Sequence, residues 1–201
     1  IVAYAYDKGI NFFDTANQYS NGTSQEYLGR AIKDLGIRRE DVIIASKVFF
    51  NEGGLSKEAI KREIDQSLLR LGTDYLDLYL IHRFDYNVPI EETMEALNDL
   101  VKAGKVRSLG SSSILAYQML MYQNLAKEKG YARFEVMENH YNLLYREEER
   151  GMIPLCKELD VSLIPYSPLA AGHLARINWD SDSIRSLSDD VAKRRYGASE
   201  D

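Results

Sequence analysis

Six short apolar segments recur along the chain at nearly even intervals, and this spacing limits the available folds more than any single motif does. They begin at residues 11, 41, 75, 106, 134 and 161, steps of 27 to 34 residues. The segment Asp41-Val-Ile-Ile-Ala-Ser-Lys47 is apolar and β-branched without alternation, as a strand covered on both faces requires. Tyr75 to His82 reads the same way. Shorter strands are expected at 11–14, 106–110, 134–138 and 161–165.

Helical periodicity fills the gaps. Ser24 caps a run in which Tyr27, Leu28, Ala31, Ile32 and Leu35 share a face, closed by Gly36. Ser56 caps a second, with Ile60, Ile64, Leu68 and Leu71 before Gly72. Pro89 sits in the first turn of a third, followed by Ile90, Met94, Leu97 and Val101 before Gly104. Further helices span Leu115 to Lys129, ended by Gly130, and Glu147 to Leu159. The opening helix, Ile1 to Lys8, stops at Gly9 and has no capping residue in front of it, so an element beginning upstream is expected.

A repeated β-α unit of this length requires crossover helices and a parallel sheet. A doubly wound open sheet and a (β/α)8 barrel both satisfy it, and the even spacing favours the barrel. A full barrel needs eight units and ~250 residues. The 201 residues are therefore expected to carry six of them, as one domain, with one strand belonging before Ile1 and another after Asp201. Residues 174–201 read as a charged tail with one helical turn near Val191.

Composition narrows the function classes. A hydrophobic fraction of 45% and a charged fraction of 28% are those of a soluble globular protein. No apolar run reaches the ~20 residues of a membrane helix. Twenty-five basic against 31 acidic residues leave a net charge of −6, which argues against nucleic acid or an anionic membrane as partner. Cys156 is the single cysteine, which excludes an internal disulfide and a Cys-rich metal site. Asn21-Gly22-Thr23 matches a glycosylation sequon but reads better as a turn. A cytoplasmic setting is the expectation, and the oligomeric state is open. Neither a G-x-G-x-x-G nor a G-x-x-x-x-G-K-[ST] phosphate loop is present.

In a β/α barrel, chemistry is built where the strands end. Those positions carry Asp14 with Tyr19, Lys47, His82, Ser111 to Ser113, Glu138 with Asn139 and His140, and Tyr166 with Ser167. Meeting solvent explains any one polar strand end, but explains all of them poorly. A phenol near its ordinary pKa of ~10 donates protons badly at neutral pH until a cation lowers that value. Lys47, held by Asp14, can serve as the cation, Tyr19 as the donor to a carbonyl oxygen, and His82 as the group that orients that oxygen. Each has a plainer reading: a turn cap, a surface base, a structural histidine, one of 14 tyrosines. Their shared location favours the chemical one.

Several long segments, in order, carry a family resemblance. Gly9-Ile-Asn-Phe-Phe-Asp14-Thr-Ala, Tyr75-Leu-Asp-Leu-Tyr-Leu-Ile-His82-Arg83 and Pro165-Tyr-Ser-Pro-Leu169 resemble the aldo-keto reductases. His82-Arg-Phe-Asp85, Gly104-Lys-Val-Arg-Ser-Leu-Gly110 and Tyr141-Asn-Leu-Leu-Tyr-Arg146 are most similar to the aryl-alcohol-dehydrogenase-like branch. The resemblance runs from Ile1 to about Arg195. It implies a (β/α)8 barrel that binds NADP(H) across its C-terminal face and reversibly reduces a small-molecule aldehyde or ketone to the alcohol. It puts general acid/base catalysis on Tyr19, with Asp14 and Lys47 as its tuners and His82 orienting the carbonyl. It further places Ser112, Asn139, Tyr166, Ser167 and Leu169 around the nicotinamide half of the cofactor, with Tyr166 stacked on the ring.

Two matched positions depart from the pattern. Ser113 stands where an asparagine is usual, and Glu138 where a glutamine is usual. A carboxylate at 138 accepts from the nicotinamide NH2 but cannot donate to its oxygen, and when ionised its charge is expected to favour the positively charged oxidised ring. The basic loop that holds the adenosine 2′-phosphate in the family lies beyond Asp201. Lys193, Arg194 and Arg195 are read instead as a solvated helix end. Two other function classes stay open. One is a regulatory or binding protein, as with the potassium-channel β subunits that share the resemblance. The other is a metal hydrolase built on Asp14, His82 and His140, disfavoured because the chain has three histidines in all. Trp179 is a candidate lining of a substrate pocket.

Overall fold

A computed structural model describes residues 1–175 and 188–196. Its centre is a six-stranded, all-parallel sheet in sequential order. The strands are β1 (Phe12–Asp14), β2 (Ile43–Val48), β3 (Leu76–Ile81), β4 (Val106–Ser112), β5 (Phe134–Glu138) and β6 (Ser162–Leu163). Helices α1 (Val2–Asp7), α2 (Thr23–Asp34), α3 (Lys57–Leu71), α4 (Ile90–Lys102), α5 (Ala116–Lys129) and α6 (Met152–Glu158) alternate with them. A seventh, α7 (Asp190–Tyr196), follows the last strand. Sequential parallel order with every crossover helical is barrel topology, in which a doubly wound sheet would have reversed direction once. The fold is an incomplete (β/α)8 barrel.

The sheet's two faces hold two separate cores. Ile44, Val48, Tyr79, Ile81, Leu109 and Met137 pack with the buried helix residues Ile60, Ile64, Met94, Leu97 and Met119 in the larger one. Ala45, Leu78 and Leu80, with Phe12, Val136 and Ile164 against them, form the smaller one on the opposite, inner face. Because successive side chains point to opposite faces, residues two apart share one. Asp14 therefore follows Phe12 inward, Lys47 follows Ala45, His82 follows Leu80, and Glu138 follows Val136. Strand register completes the alignment: Asp14 pairs with Ala45, Lys47 with Leu80, and Ser112 with Glu138.

Several boundaries differ from the sequence reading, each for a local reason. Ser24 does not cap α2, whose N-cap is Gly22; its hydroxyl bonds Thr15 instead, at 2.8 Å. Tyr27 and Leu35 are exposed although they share the apolar stripe: β1, the strand before α2, is the edge of the sheet, and no further strand among the described residues lies beyond it. Ser56 caps α3 as expected, accepting from the Ala59 amide, and Gly72 closes it with φ +65°. Pro89 is the N-cap of α4 rather than its first residue. The stretch expected as one helix from 147 is a 3-10 turn, Glu147–Arg150, then α6, broken at Gly151. The charged tail of the sequence reading falls largely outside the described residues, as does Trp179.

Candidate functional site

Lys47 is the centre of the site. Its side chain is wholly buried, with Nζ surrounded by four oxygens. Nζ donates to Asp14 Oδ2 in a tight ion pair, to the Thr15 carbonyl at 3.2 Å and to the Tyr19 hydroxyl at 3.4 Å. Glu138 Oε2 lies 3.3 Å away as a second counter-ion, at an angle that closes no hydrogen bond. Burial opposes the ammonium, but Asp14, Glu138 and Tyr19 together hold Lys47 above its ordinary pKa. It is a cation throughout the physiological range.

The loop that brings Tyr19 back over β2 is fixed at each step. The Thr15 and Asn17 amides continue the ladder, to the Ala45 and Lys47 carbonyls, past the end of β1. The Asn17 carboxamide donates to Glu63 on α3 at 2.9 Å and to Asn51 at 3.1 Å. Tyr19 then opens a 3-10 turn, Tyr19–Gly22, with Ser20 and Asn21 both left-handed. Gly22 ends it at φ +91°, where a Cβ would meet the Arg70 guanidinium at 2.8 Å. Only glycine suits that position. The expected turn at Asn21-Gly22 is present, and it anchors the phenol.

His82 enters from the end of β3, its amide bonded to the Val48 carbonyl. Its ring meets Tyr19 edge-on at 5.8 Å and Phe50 edge-on at 5.0 Å. Burial, then Lys47 and Arg83, push its pKa down to about 3. The imidazole is thus neutral, able to donate from one nitrogen and accept at the other. Among the described residues Nδ1 has no hydrogen-bond partner.

One expectation needs correcting in sign. Lys47 does pull the Tyr19 phenol down, but burial outweighs it, and Asp14 and Glu138 add to burial, so the net shift is upward. Burial likewise pushes Asp14 up, with Lys47 pulling against it, and takes Glu138 to about 7 under the same opposition. The sequence reading counted one carboxylate beside the lysine, whereas the fold brings two.

The other predicted residues gather on the neighbouring rim. Ser112 is buried, and its hydroxyl is 3.4 Å from that of Ser113, which donates to the Tyr166 hydroxyl at 3.3 Å. Tyr166 stacks on His140 at 5.3 Å, His140 stacks on Tyr145 at 4.4 Å, and the Arg195 guanidinium sits 5.4 Å from the Tyr166 ring. Lys193, Arg194 and Arg195 are exposed on α7, as expected of a helix end. The Ser167 carbonyl accepts from Asn142, and Leu169 is exposed. Asn139 is buried, with its carboxamide directed at Glu148. Buried polar atoms are rarely left unpaired. His82 Nδ1 and Glu138 Oε2 are buried without a hydrogen-bond partner among the described residues, at the ends of β3 and β5. His140 belongs to the aromatic stack rather than to the lysine cluster, and among the described residues no three His, Cys, Asp or Glu gather as a metal-binding group.

Sequence reasoning missed Thr15, whose contribution is a backbone carbonyl and leaves no residue signature. It missed Phe50, for which the only signal was the aromatic pair Phe49-Phe50 just past the end of β2. It also missed the Asn17–Glu63 bond, which joins segments 46 residues apart.

Comparison with known proteins gives a consistent result. The Aldo/keto reductase family profile matches residues 1–196. An aldo-keto reductase of Fusarium vanettenii is 48% identical, over 92% of this chain and 58% of its own length. The versiconal hemiacetal acetate reductase of Aspergillus parasiticus is 44% identical, over 94% of this chain and 62% of its own. A Schizosaccharomyces pombe protein assigned as an aryl-alcohol dehydrogenase is 43% identical, over 94% and 62%. The chain therefore spans about three-fifths of the length of these relatives. Among solved structures, a protein assigned as a 2,5-diketo-D-gluconic acid reductase B superposes with a TM-score of 0.76 at 31% identity, covering 86% of this chain and 57% of that one.

Proposed function

The chain belongs to the aldo/keto reductase family, and from that premise we propose that it serves the NADP(H)-dependent, reversible reduction of an aldehyde or ketone to an alcohol, with Tyr19 as general acid and base. The observation that carries this reading is the buried Lys47 ammonium, paired with Asp14 and 3.4 Å from the Tyr19 hydroxyl. NADP(H), when bound, supplies or takes up the hydride.

The protein's own part is a proton transfer. In the reducing direction the Tyr19 O–H donates to the carbonyl oxygen as the carbon is reduced, leaving a phenolate. That charge forms beside a fixed, buried cation whose attraction is already oriented before the reaction. Lys47 thus acts mainly on the charge that develops, which reconciles its role with the upward shift of the resting phenol. The neutral His82 ring, edge-on to Tyr19, can donate to the same oxygen and hold it in line. Asn139 and Ser112 would hold the carboxamide of the nicotinamide, and Tyr166 would flank its ring, with Ser113, Ser167 and Leu169 along the same rim. A cavity of about 730 Å³ opens between the loops after β2 and β3, lined by Phe49, Phe50, Asn51 and Val88 among others. Asp85 and Asn87 also line it, and its Phe50 wall meets His82, so a carbonyl compound with an aromatic ring can lie against it.

Titrating the purified protein with NADPH by fluorescence, then supplying aromatic aldehydes, tests the reading. Micromolar binding with turnover is expected, and Tyr19→Phe should lower turnover by roughly 10²- to 10⁴-fold with little change in cofactor affinity. Turnover that survives Tyr19→Phe would refute the assignment.

A further inference from the structure

Glu138 is the feature that the proposed chemistry leaves unused. It ends β5 on the inner face, with its side chain 7% exposed, and directs Oε2 at Lys47 from the side opposite β1. An ammonium has three protons. Four oxygens lie within 3.5 Å of Lys47 Nζ: Asp14 Oδ2, the Thr15 carbonyl, the Tyr19 hydroxyl and Glu138 Oε2. Asp14 and Thr15 hold two protons in place. The third goes to Tyr19, while Glu138 Oε2 faces the same ammonium as a counter-ion without a hydrogen bond.

We propose that Glu138 is a positioning residue for the reaction, a second carboxylate on Lys47 whose protonation state sets how much of the ammonium's charge acts on Tyr19. The inference rests on the reading of Tyr19 as the proton donor. Ionised Glu138 draws on Lys47 and adds a negative charge beside the phenolate that must form. Protonated Glu138 does neither, and its O–H becomes a donor on the rim, much as the amide of a glutamine would be.

The surroundings make this state titratable near neutrality. Facing Glu138 are Lys47 from β2, Asp14 from β1, Tyr19 from the turn beyond it and Arg83 from the loop after β3. β4 opposes it with the Ser112 hydroxyl, and β6, Ser162–Leu163, brings no charged side chain. Burial raises the Glu138 carboxyl to about 7 against the pull of Lys47, with Asp14 adding to burial. His82, at about 3, and Tyr19, above its ordinary value, both titrate outside that range. His140, one residue beyond Asn139, lies below its ordinary value, and His140→Gln serves as the control for it.

The test has two readouts. Without cofactor, the phenolate absorbance of Tyr19 is isolated as wild type minus Tyr19→Phe and followed against pH, in the native background and in Glu138→Gln. The Tyr19 midpoint should fall by roughly one pH unit in Glu138→Gln. With NADPH and an aromatic aldehyde, kcat of the wild type should fall roughly three- to tenfold as pH rises through about 7. Glu138→Gln should lose that step, and His140→Gln should keep it. Identical Tyr19 midpoints and identical profiles in wild type and Glu138→Gln would overturn the inference. A protein that neither binds NADPH nor turns over would refute the functional reading alone, since the phenolate titration still decides the role of Glu138. Were Glu138→Gln to fold poorly, infrared spectra of the glutamate-labelled wild type decide. A buried protonated carboxyl persisting towards pH 7 supports the proposal, and full ionisation by about pH 5 overturns it.

Discussion

Replacing Lys47 with methionine keeps the length of the side chain and removes its charge, and the structure specifies how the loss should depend on pH. In the native fold a fully buried cation stands between Asp14, whose side chain is 31% exposed, and Glu138, at 7%. Removing one member of a buried ion pair costs about 3–5 kcal/mol, chiefly by leaving the other charge uncompensated. Here two carboxylates are left, and each has a way out: protonation. Lys47 lowers both carboxyls in the native protein, so both rise further without it. A raised folded pKa means that the folded state binds more protons than the unfolded chain above the ordinary carboxylate range. Stability therefore falls as pH rises through that window and is retained below it. Urea unfolding at pH 5 and pH 8, read as midpoints at constant slope, measures the effect. The loss in Lys47→Met should be about 3–5 kcal/mol at pH 8 and about 1–2 kcal/mol at pH 5, with Glu138→Gln recovering part of the difference in the double variant. Equal losses at both pH values would show that Lys47 acts by packing alone, and would remove the three-charge cluster from the account of this site.

Two further outcomes follow from single features. His82 is held at about 3, so the unfolded chain takes up a proton that the folded imidazole refuses, and this residue's contribution to stability should decline as pH drops below about 6.5; NMR of its ring protons should show no titration between pH 5 and 9, and a midpoint near 6.5 would refute the neutral assignment. Gly22→Ala should destabilise by about 1–3 kcal/mol, because φ +91° and the Arg70 guanidinium leave no room for a methyl, and the strain should fall on the Tyr19 turn; an unchanged melting temperature with unchanged turnover would show that the turn is not what fixes the phenol.

The strands and helices were legible because their signals are local. An apolar β-branched run from 41 to 47, a Ser56 cap and a glycine at position 72 each act within a few residues, and the fold follows them closely. Where boundaries slipped, a contact from elsewhere intervened. Ser24 turned to Thr15 rather than to its own helix. Tyr27, placed on an apolar stripe, lies against an open edge rather than a neighbour. The site was legible in part for the same reason that the barrel was: strand-end positions are readable once strand ends are known. Glu138 was noticed as a departure, but only towards the nicotinamide.

The sequence by itself determined which groups the strand ends deliver: a carboxylate at 14, a lysine at 47, a histidine at 82 and a second carboxylate at 138. The alternation of a strand and the beat of the β-α unit are properties of consecutive residues, and they put all four on one face at one end of the sheet. The tertiary structure alone decided what those groups do to one another. Whether a phenol is raised or lowered depends on depth of burial and on the sum of charges within a few ångströms, and both are set by strands 33 and 91 residues apart meeting at Lys47. Composition cannot count four oxygens around three protons; only the packed sheet brings them together.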